Sequence, residues 1–261
     1  MKLLEGKTAI ITGGSRGIGK GTAIALGEKG CTVYVTGRTT GDGDRTIDTT
    51  ARLVAEAGGE GKAIQCDHGT DDDIATLFQQ IGDEAGCIDI LVNNAATNVV
   101  HPVLNHDDDA WFRVIDVNLC GPYLCTRNAL PHLIKNGWGR IISIASTNAH
   151  VGTPDYSAYA ASKAAVDSFS VGFAKEVGTQ GIRVNVVRPG VTLTDMTSAV
   201  RDNADIRKSI ESTIAMNRTA EADEMAAPIL WLLSKEASFV SGASLDASGG
   251  GFLINASTSG K

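Results

Sequence analysis

The feature that most constrains this chain is the alternation of short β-rich runs with longer Ala/Leu-rich stretches over its first three quarters. Thr8–Thr12 (TAIIT) opens as a strand, and residues 18–29 follow as a helix. The pattern continues with strands at 32–36, 62–66 and 88–93 and helices at 47–57 and 72–84. Two long helical stretches, 108–135 and 155–179, enclose a strand at 140–145. A strand at 183–187, a helix at 221–234 and a short closing strand at 244–246 complete the series. Strands separated by helices return as parallel neighbours, so the expectation is a doubly wound parallel α/β sheet of about seven strands with helices on both faces. No Pro/Ser-rich linker, composition break or internal repeat divides the 261 residues, and one domain over 1–261 is expected.

Charge and composition then remove several classes of function. The balance of 23 basic and 30 acidic residues leaves a net charge of −7 with no basic block, which argues against nucleic acid as a partner. Apolar runs are a few residues long, against the roughly 20 needed to cross a bilayer, so no membrane association is expected. The start MKLLEGKTAIITGG has neither the apolar core nor the cleavage site of a secretion signal. Five cysteines, at 31, 66, 87, 120 and 125, form no CxxC or zinc spacing and read as reduced thiols of a cytoplasmic protein. The five histidines are isolated, so no metal site is expected. The acidic runs 71–73 and 107–109 each precede a helix, where carboxylates suit exposed N–H groups.

Glycine is in excess, 30 of 261, and it is densest at the first strand–helix turn, Thr12-Gly13-Gly14-Ser15-Arg16-Gly17-Ile18-Gly19-Lys20-Gly21. Read as Gly13-x-Ser15-x-Gly17, the turn suggests a nucleophile elbow, but the last histidine is His150, and the 111 residues after it contain none to serve as base. Read as Gly14-x-x-x-x-Gly19-Lys20, it suggests a phosphate loop, but Gly21 stands where a Mg²⁺-binding hydroxyl is needed. Read as Thr12-Gly13-x-x-x-Gly17-x-Gly19, it is a dinucleotide loop, whose glycines let backbone approach a pyrophosphate at a helix N-terminus.

Further residues recur in order along the chain: Asp67 after the third strand, Asn93-Asn94-Ala95 after the fourth, Asn118 in the first long helix, and Ser146 past the fifth strand. Tyr159-x-x-x-Lys163 begins 13 residues after Ser146, Pro189-Gly190 precedes Thr192 and Thr194, and Gly249-Gly250 sits near the end. With these, the chain resembles the short-chain dehydrogenase/reductase family over roughly residues 5–254, nearest its 3-oxoacyl-[acyl-carrier-protein] reductase branch. The resemblance implies a Rossmann-like fold and hydride exchange between a nicotinamide and a ketone or secondary alcohol. It implies Tyr159 as acid/base, Ser146 on the substrate oxygen, and Asn118 holding a water that links Lys163 to solvent. It also implies Gly13, Ser15, Arg16, Gly17, Ile18 and Gly19 at the cofactor phosphates, Asp67 and His68 at the adenine, and Asn94 near a ribose. Tyr159 and Lys163 would also touch the cofactor, and Thr192 and Thr194 the nicotinamide carboxamide.

The residues themselves add two arguments. Tyrosine ionises near 10, so shifting it by about three units takes about 4 kcal/mol; Lys163, one helical turn on, offers a charge that favours the phenolate. The second strand ends at Gly37-Arg38 rather than at the acid that binds a ribose 2′-hydroxyl. NADP(H) is therefore favoured, with NAD(H) possible, and Asp42 and Asp44 in the same loop either oppose the phosphate or face water.

Substrate choice is expected in residues 96–105, 150–157 and a lid at about 193–218. A small ketone or secondary alcohol is the preferred substrate, since Lys135 and Lys175 make only a thin basic patch for a carrier protein. A 3-oxoacyl-carrier reductase, an NAD-dependent sugar or polyol dehydrogenase, and a cofactor-sensing regulatory protein remain alternatives. The family resemblance further implies a homotetramer paired through the two long helices.

Overall fold

The computed structural model describes residues 4–251, and the outer parts of the expected domain, 1–3 and 252–261, lie outside the described residues. The first half of the chain forms β1 (Thr8–Thr12), α1 (Gly17–Glu28), β2 (Thr32–Gly37), α2 (Ile47–Glu56), β3 (Glu60–Gln65), α3 (Asp71–Ala85) and β4 (Ile90–Asn93). Next come α4 (Asp108–Ile115), α5 (Gly121–Asn136), β5 (Gly139–Ile144), α6 (Asn148–Val151), α7 (Ser157–Val177) and β6 (Ile182–Pro189). The remainder holds β7 (Thr192–Leu193), α8 (Ser198–Asp202), α9 (Ala204–Glu211), β8 (Ala220–Glu221), α10 (Ala226–Leu233) and β9 (Ser244–Ala247).

Seven parallel strands lie in the order β3-β2-β1-β4-β5-β6-β9. The winding reverses between β1 and β4, which pair Ala9 with Ile90 and Ile11 with Val92. Connections leave these two strands toward opposite faces, so a crevice opens beyond their C-terminal ends.

Side chains alternate across each strand, and both faces are covered. Ala9 and Ile11 of β1, Ile90 and Val92 of β4, and Ile142 and Ile144 of β5 face one core with Leu26, Val54, Ile229 and Leu232. The intervening Ile10, Leu91 and Ile141 face the other, with Ile74, Leu77 and Phe78 of α3 and Cys125, Ala129 and Leu133 of α5. Burial on both sides explains why TAIIT and ILVN read as continuous apolar runs. The acidic runs act at helix starts: Asp71, Asp72 and Asp73 occupy the first turn of α3, and the Asp107 carboxylate accepts from the Asp109 N–H at 3.1 Å. Left-handed glycines end two helices, Gly86 after α3 and Gly137 after α5.

Three local features differ from the expectation. The stretch 108–135 is not one α-helix: Asp116–Cys120 forms a π turn, with the Gly121 N–H reaching the Asp116 carbonyl five residues back. A short α6 follows Ser146. The lid segment folds as α8 and α9, and its two ends are joined by a two-residue parallel ladder, Thr192 with Ala220 and Leu193 with Glu221. Among the described residues no helix is long and apolar enough to cross a membrane, and no cluster of His, Cys, Asp or Glu could hold a metal.

Candidate active site

A cavity of about 530 Å³ lies at the crevice. Its floor is the turn between β1 and α1, where Gly13, Ser15, Arg16, Gly17 and Ile18 all line the wall. Gly13 has φ +66, and a Cβ there would stand 2.7 Å from the Ala95 Cα; a Cβ on Gly19 would meet the Asn94 amide and the Gly13 carbonyl at 2.5 Å. The turn therefore lies flat on the end of β4, which only glycine permits. Thr12 fixes it there, its hydroxyl oxygen accepting from the Asn94 and Ala95 N–H groups at 2.9 Å each. The Asn94 side chain donates back to the carbonyls of Thr12 at 2.9 Å and Gly13 at 3.0 Å. No side chain caps α1, so its first-turn N–H groups remain available to an anion. The glycine cradle and the uncapped twelve-residue helix suit a dinucleotide pyrophosphate. Gly14 and Gly21 serve another purpose: a Cβ at the first would strike Val35, and the second faces Ala222 and Asp223.

At the far end of the cavity, Gly37, Arg38 and Thr39 form the rim. Arg38 is exposed, whereas Asp42 and Asp44 point to solvent and do not line the cavity. Their loop is held instead by Thr46, whose hydroxyl donates to the carbonyls of Gly41 and Gly43 at 2.6 and 2.9 Å. Asp67 lines the wall and pairs with Arg113 of α4 at 2.5 Å. Burial opposes ionisation of Asp67, but the Arg113 guanidinium and the Gly69 N–H outweigh it and hold the carboxyl below its usual range. His68 borders the cavity, yet its imidazole is buried, with Nε2 2.9 Å from the Thr36 hydroxyl and Nδ1 3.7 Å from the Cys66 sulfur. Burial pushes its pKa down to about 4, so it is a neutral ring of the interior.

Opposite the glycine turn, Ser146 at the end of β5 faces Tyr159 and Lys163 of α7, and all three line the cavity. The Ser146 hydroxyl hydrogen-bonds the Tyr159 phenol and also accepts from the Asn148 N–H at 3.2 Å. Tyr156 packs edge-on against Tyr159, ring centroids 6.4 Å apart. Lys163 is buried, its ammonium donating to the Ile144 carbonyl at 2.6 Å and lying 5.7 Å from the Tyr159 ring centroid. Burial drives both groups toward their neutral forms. The Tyr159 phenol is pushed up to about 12, with the Ser146 hydrogen bond pulling the other way, and Lys163 is pushed down to about 8. The sequence argument had Lys163 lowering the phenol. In the structure burial is the largest influence on the phenol and favours its protonated form.

Asn118 sits in the π turn and is fully buried. Its amide closes a pair with the Thr97 backbone, accepting at 2.8 Å and donating at 2.9 Å, and donates to the Ser162 hydroxyl at 3.0 Å. The side chain thus ties the loop after β4 to the helix bearing Tyr159.

Thr192 and Thr194 line the lid side, and Thr194 lies 3.2 Å from where a Gly17 Cβ would be. Their hydroxyls are engaged locally, Thr192 donating to the Gly190 carbonyl at 3.1 Å and Thr194 lying 3.4 Å from Thr197. Two cavity residues escaped the sequence reading. Asp195 receives Arg16 at 3.7 Å, Arg45 at 3.3 Å and Arg201 at 2.8 Å, and Arg113 reaches Asp67 from a helix 46 residues away. No local pattern marks either, because the partners meet only after the sheet has formed.

A parallel sheet with a glycine cradle at its switch point and a Ser–Tyr–Lys cluster facing that cradle defines an NAD(P)-binding oxidoreductase. Comparison with known proteins narrows the class. Residues 13–251 match the family model described as enoyl-(acyl carrier protein) reductase. The chain is 36% identical over 252 residues to the 3-oxoacyl-[acyl-carrier-protein] reductase FabG of Vibrio harveyi, covering 96% of this chain and 99% of that one. Among solved structures, a short-chain type dehydrogenase/reductase from Mycobacterium marinum superposes with TM-score 0.87 at 33% identity, covering 95% and 96% of the two chains. The Pseudomonas aeruginosa RhlG/NADP active-site complex gives TM-score 0.88 at 31% identity, covering 96% and 98%. The chain belongs to the short-chain dehydrogenase/reductase family and is an oxidoreductase acting on CH–OH or keto groups.

Proposed function

We propose that the protein interconverts a small ketone and a secondary alcohol, with NADP(H) as its preferred cofactor. The observation that carries this reading is the convergence of the Ser146 hydroxyl and the Tyr159 phenol in one cavity with the glycine cradle. A bound nicotinamide supplies or accepts the hydride. Tyr159, held protonated by burial, donates its proton to the carbonyl oxygen in the reductive direction, and Ser146 steadies the charge developing on that oxygen. Lys163, poised at about 8, returns the proton to Tyr159, and a water held at Asn118 replenishes it. Gly13, Ser15, Arg16, Gly17, Ile18 and Gly19 hold the pyrophosphate, and Asn94 acts by fixing that turn to β4. Thr192 and Thr194 bound the nicotinamide end, and residues 193–218 act as the lid.

The NADP(H) preference rests on Arg38, exposed on the rim, and on the two loop acids being exposed and not lining the cavity. Arg16, in the glycine turn, also lines the cavity but is shared with Asp195. A carrier-bound 3-oxoacyl thioester is the second reading, favoured by the likeness to FabG. Against it, Lys135 and Lys175 lie near the C-terminal ends of α5 and α7, at the opposite end of the sheet from the cavity. Absorbance loss of NADPH over a panel of ketones, sugars and β-ketoesters, free and carrier-linked, tests the proposal. Turnover confined to carrier-linked substrates would select the second reading, and a higher kcat/KM with NADH would overturn the cofactor preference. The exposed Phe112 of α4 and Tyr123 of α5 fit a homotetramer paired through these helices, which light scattering tests.

A further inference from the structure

Resting on the dinucleotide reading above, we propose that the Asp195 carboxylate regulates the cavity as an internal competitor of the cofactor's phosphates for Arg16 and Arg45. Three guanidiniums converge on this acid from separate parts of the chain. Arg16 comes from the glycine turn at 3.7 Å, Arg45 from the loop before α2 at 3.3 Å, and Arg201 from α8 at 2.8 Å. Asp195 and Arg16 both line the cavity. Arg16 is thus claimed twice, by this carboxylate and by the pyrophosphate proposed for the glycine turn.

The three contacts are unequal. Arg201 donates to Oδ1 at 2.8 Å. Arg16 faces Oδ2 from beyond hydrogen-bond reach, and Oδ2 is buried with no hydrogen-bond partner among the described residues. The Arg16 and Arg45 side chains are 55% and 61% exposed, so each can turn to another anion at little cost.

A phosphate oxygen offers Arg16 the charge-assisted hydrogen bond that Asp195 does not form with it. Asp195 keeps Arg201 as a partner when the other two leave. Its backbone stays in place, because the Thr194 N–H donates to the Thr197 hydroxyl at 2.9 Å and that hydroxyl donates to the Thr192 carbonyl at 2.6 Å. Drawing the two arginines off Asp195 takes up part of the cofactor's binding free energy. The contact therefore holds affinity below what the glycine cradle alone would give and speeds release of the spent nucleotide.

The test is NADPH binding, read by fluorescence titration. Asp195→Asn, which keeps the shape and removes the charge, should bind NADPH about 10-fold more tightly, equivalent to about 1.4 kcal/mol. The gain should lie in a slower dissociation rate. Asp205→Asn, which removes a charge from an exposed position on the same lid, should stay within about 2-fold of wild type. In an Arg16→Gln/Arg45→Gln background Asp195→Asn should lose most of its gain, because the arginines it frees are gone. Asp195→Ser carries the same measurements if Asp195→Asn fails to fold. Weaker or unchanged binding by Asp195→Asn would overturn the proposal. An equal gain from Asp205→Asn, or a gain undiminished in the double-arginine background, would do the same. A wild-type protein that binds no dinucleotide would instead remove the reading on which the proposal stands.

Discussion

The two ends of the cavity follow opposite electrostatic plans. At the glycine-turn end, charges meet charges: Asp67 pairs with Arg113, and Asp195 with Arg16 and Arg45. At the other end Tyr159 and Lys163 sit in a poorly solvated wall where burial pushes them to about 12 and about 8, and the ammonium donates to the Ile144 main-chain carbonyl. Binding calls for charges that do not change, while proton transfer calls for groups whose two forms lie close in free energy. One sheet supplies both, because the first end draws on the turns after β1 to β3 together with α4 and the segment after β7, and the second on β5 and α7.

The largest effect that could break this division is at the phenol. Tyr159→Phe should lower kcat by about 10³-fold while the protein still binds NADPH, as steady-state kinetics and fluorescence titration would record. Turnover within a few-fold of wild type would remove Tyr159 from the chemistry.

Lys163→Met comes next, with a loss of about 100-fold in kcat and a gain in stability of about 1–2 kcal/mol at pH 7. The sign follows from the lowered folded pKa of about 8 against an ordinary 10.5. Below about 8 the folded protein carries the whole cost of a buried ammonium. Between the two values the unfolded chain binds more protons, so wild-type stability climbs with pH and the variant's advantage shrinks. Urea melts at pH 7 and pH 10 measure it, and an advantage that grew with pH would contradict the burial argument.

At the binding end Gly13→Ala should weaken NADPH by about 30-fold, about 2 kcal/mol, because the added methyl meets β4 in a left-handed backbone. The smallest change is Arg38→Ser, expected to reduce the NADPH over NADH preference by about 10-fold in kcat/KM. Loss of affinity for both cofactors alike would show that Arg38 does not distinguish them.

Much of this was legible from the sequence. Two-sided burial imprints continuous apolar strands, so the seven strands and their helices could be placed, and the spacing of Ser146, Tyr159 and Lys163 marked residues that do come together. The π turn at Asp116–Cys120 was not legible, since one extra residue in a turn leaves apolar periodicity almost unchanged. The Asp67–Arg113 pair depends on Arg113 reaching from α4 to the turn after β3. His68 looked like a neighbour of the ligand, but its ring turns inward to Thr36. The burial of Tyr159 was not legible either: spacing reveals the nearby lysine but not the desolvation that raises the phenol.

The parallel ladder between Thr192–Leu193 and Ala220–Glu221 has an evolutionary consequence. It brings the two ends of the lid together at a fixed neck, so whatever lies between them starts and finishes at the same place on the scaffold. A closed excursion of this kind can lengthen, shorten or change its side chains at little entropic cost and without disturbing the sheet. The segment from Thr194 to Thr219 can thus be exchanged as one piece, and under the lid role proposed above such an exchange would refit the cavity through recombination as well as through point substitution.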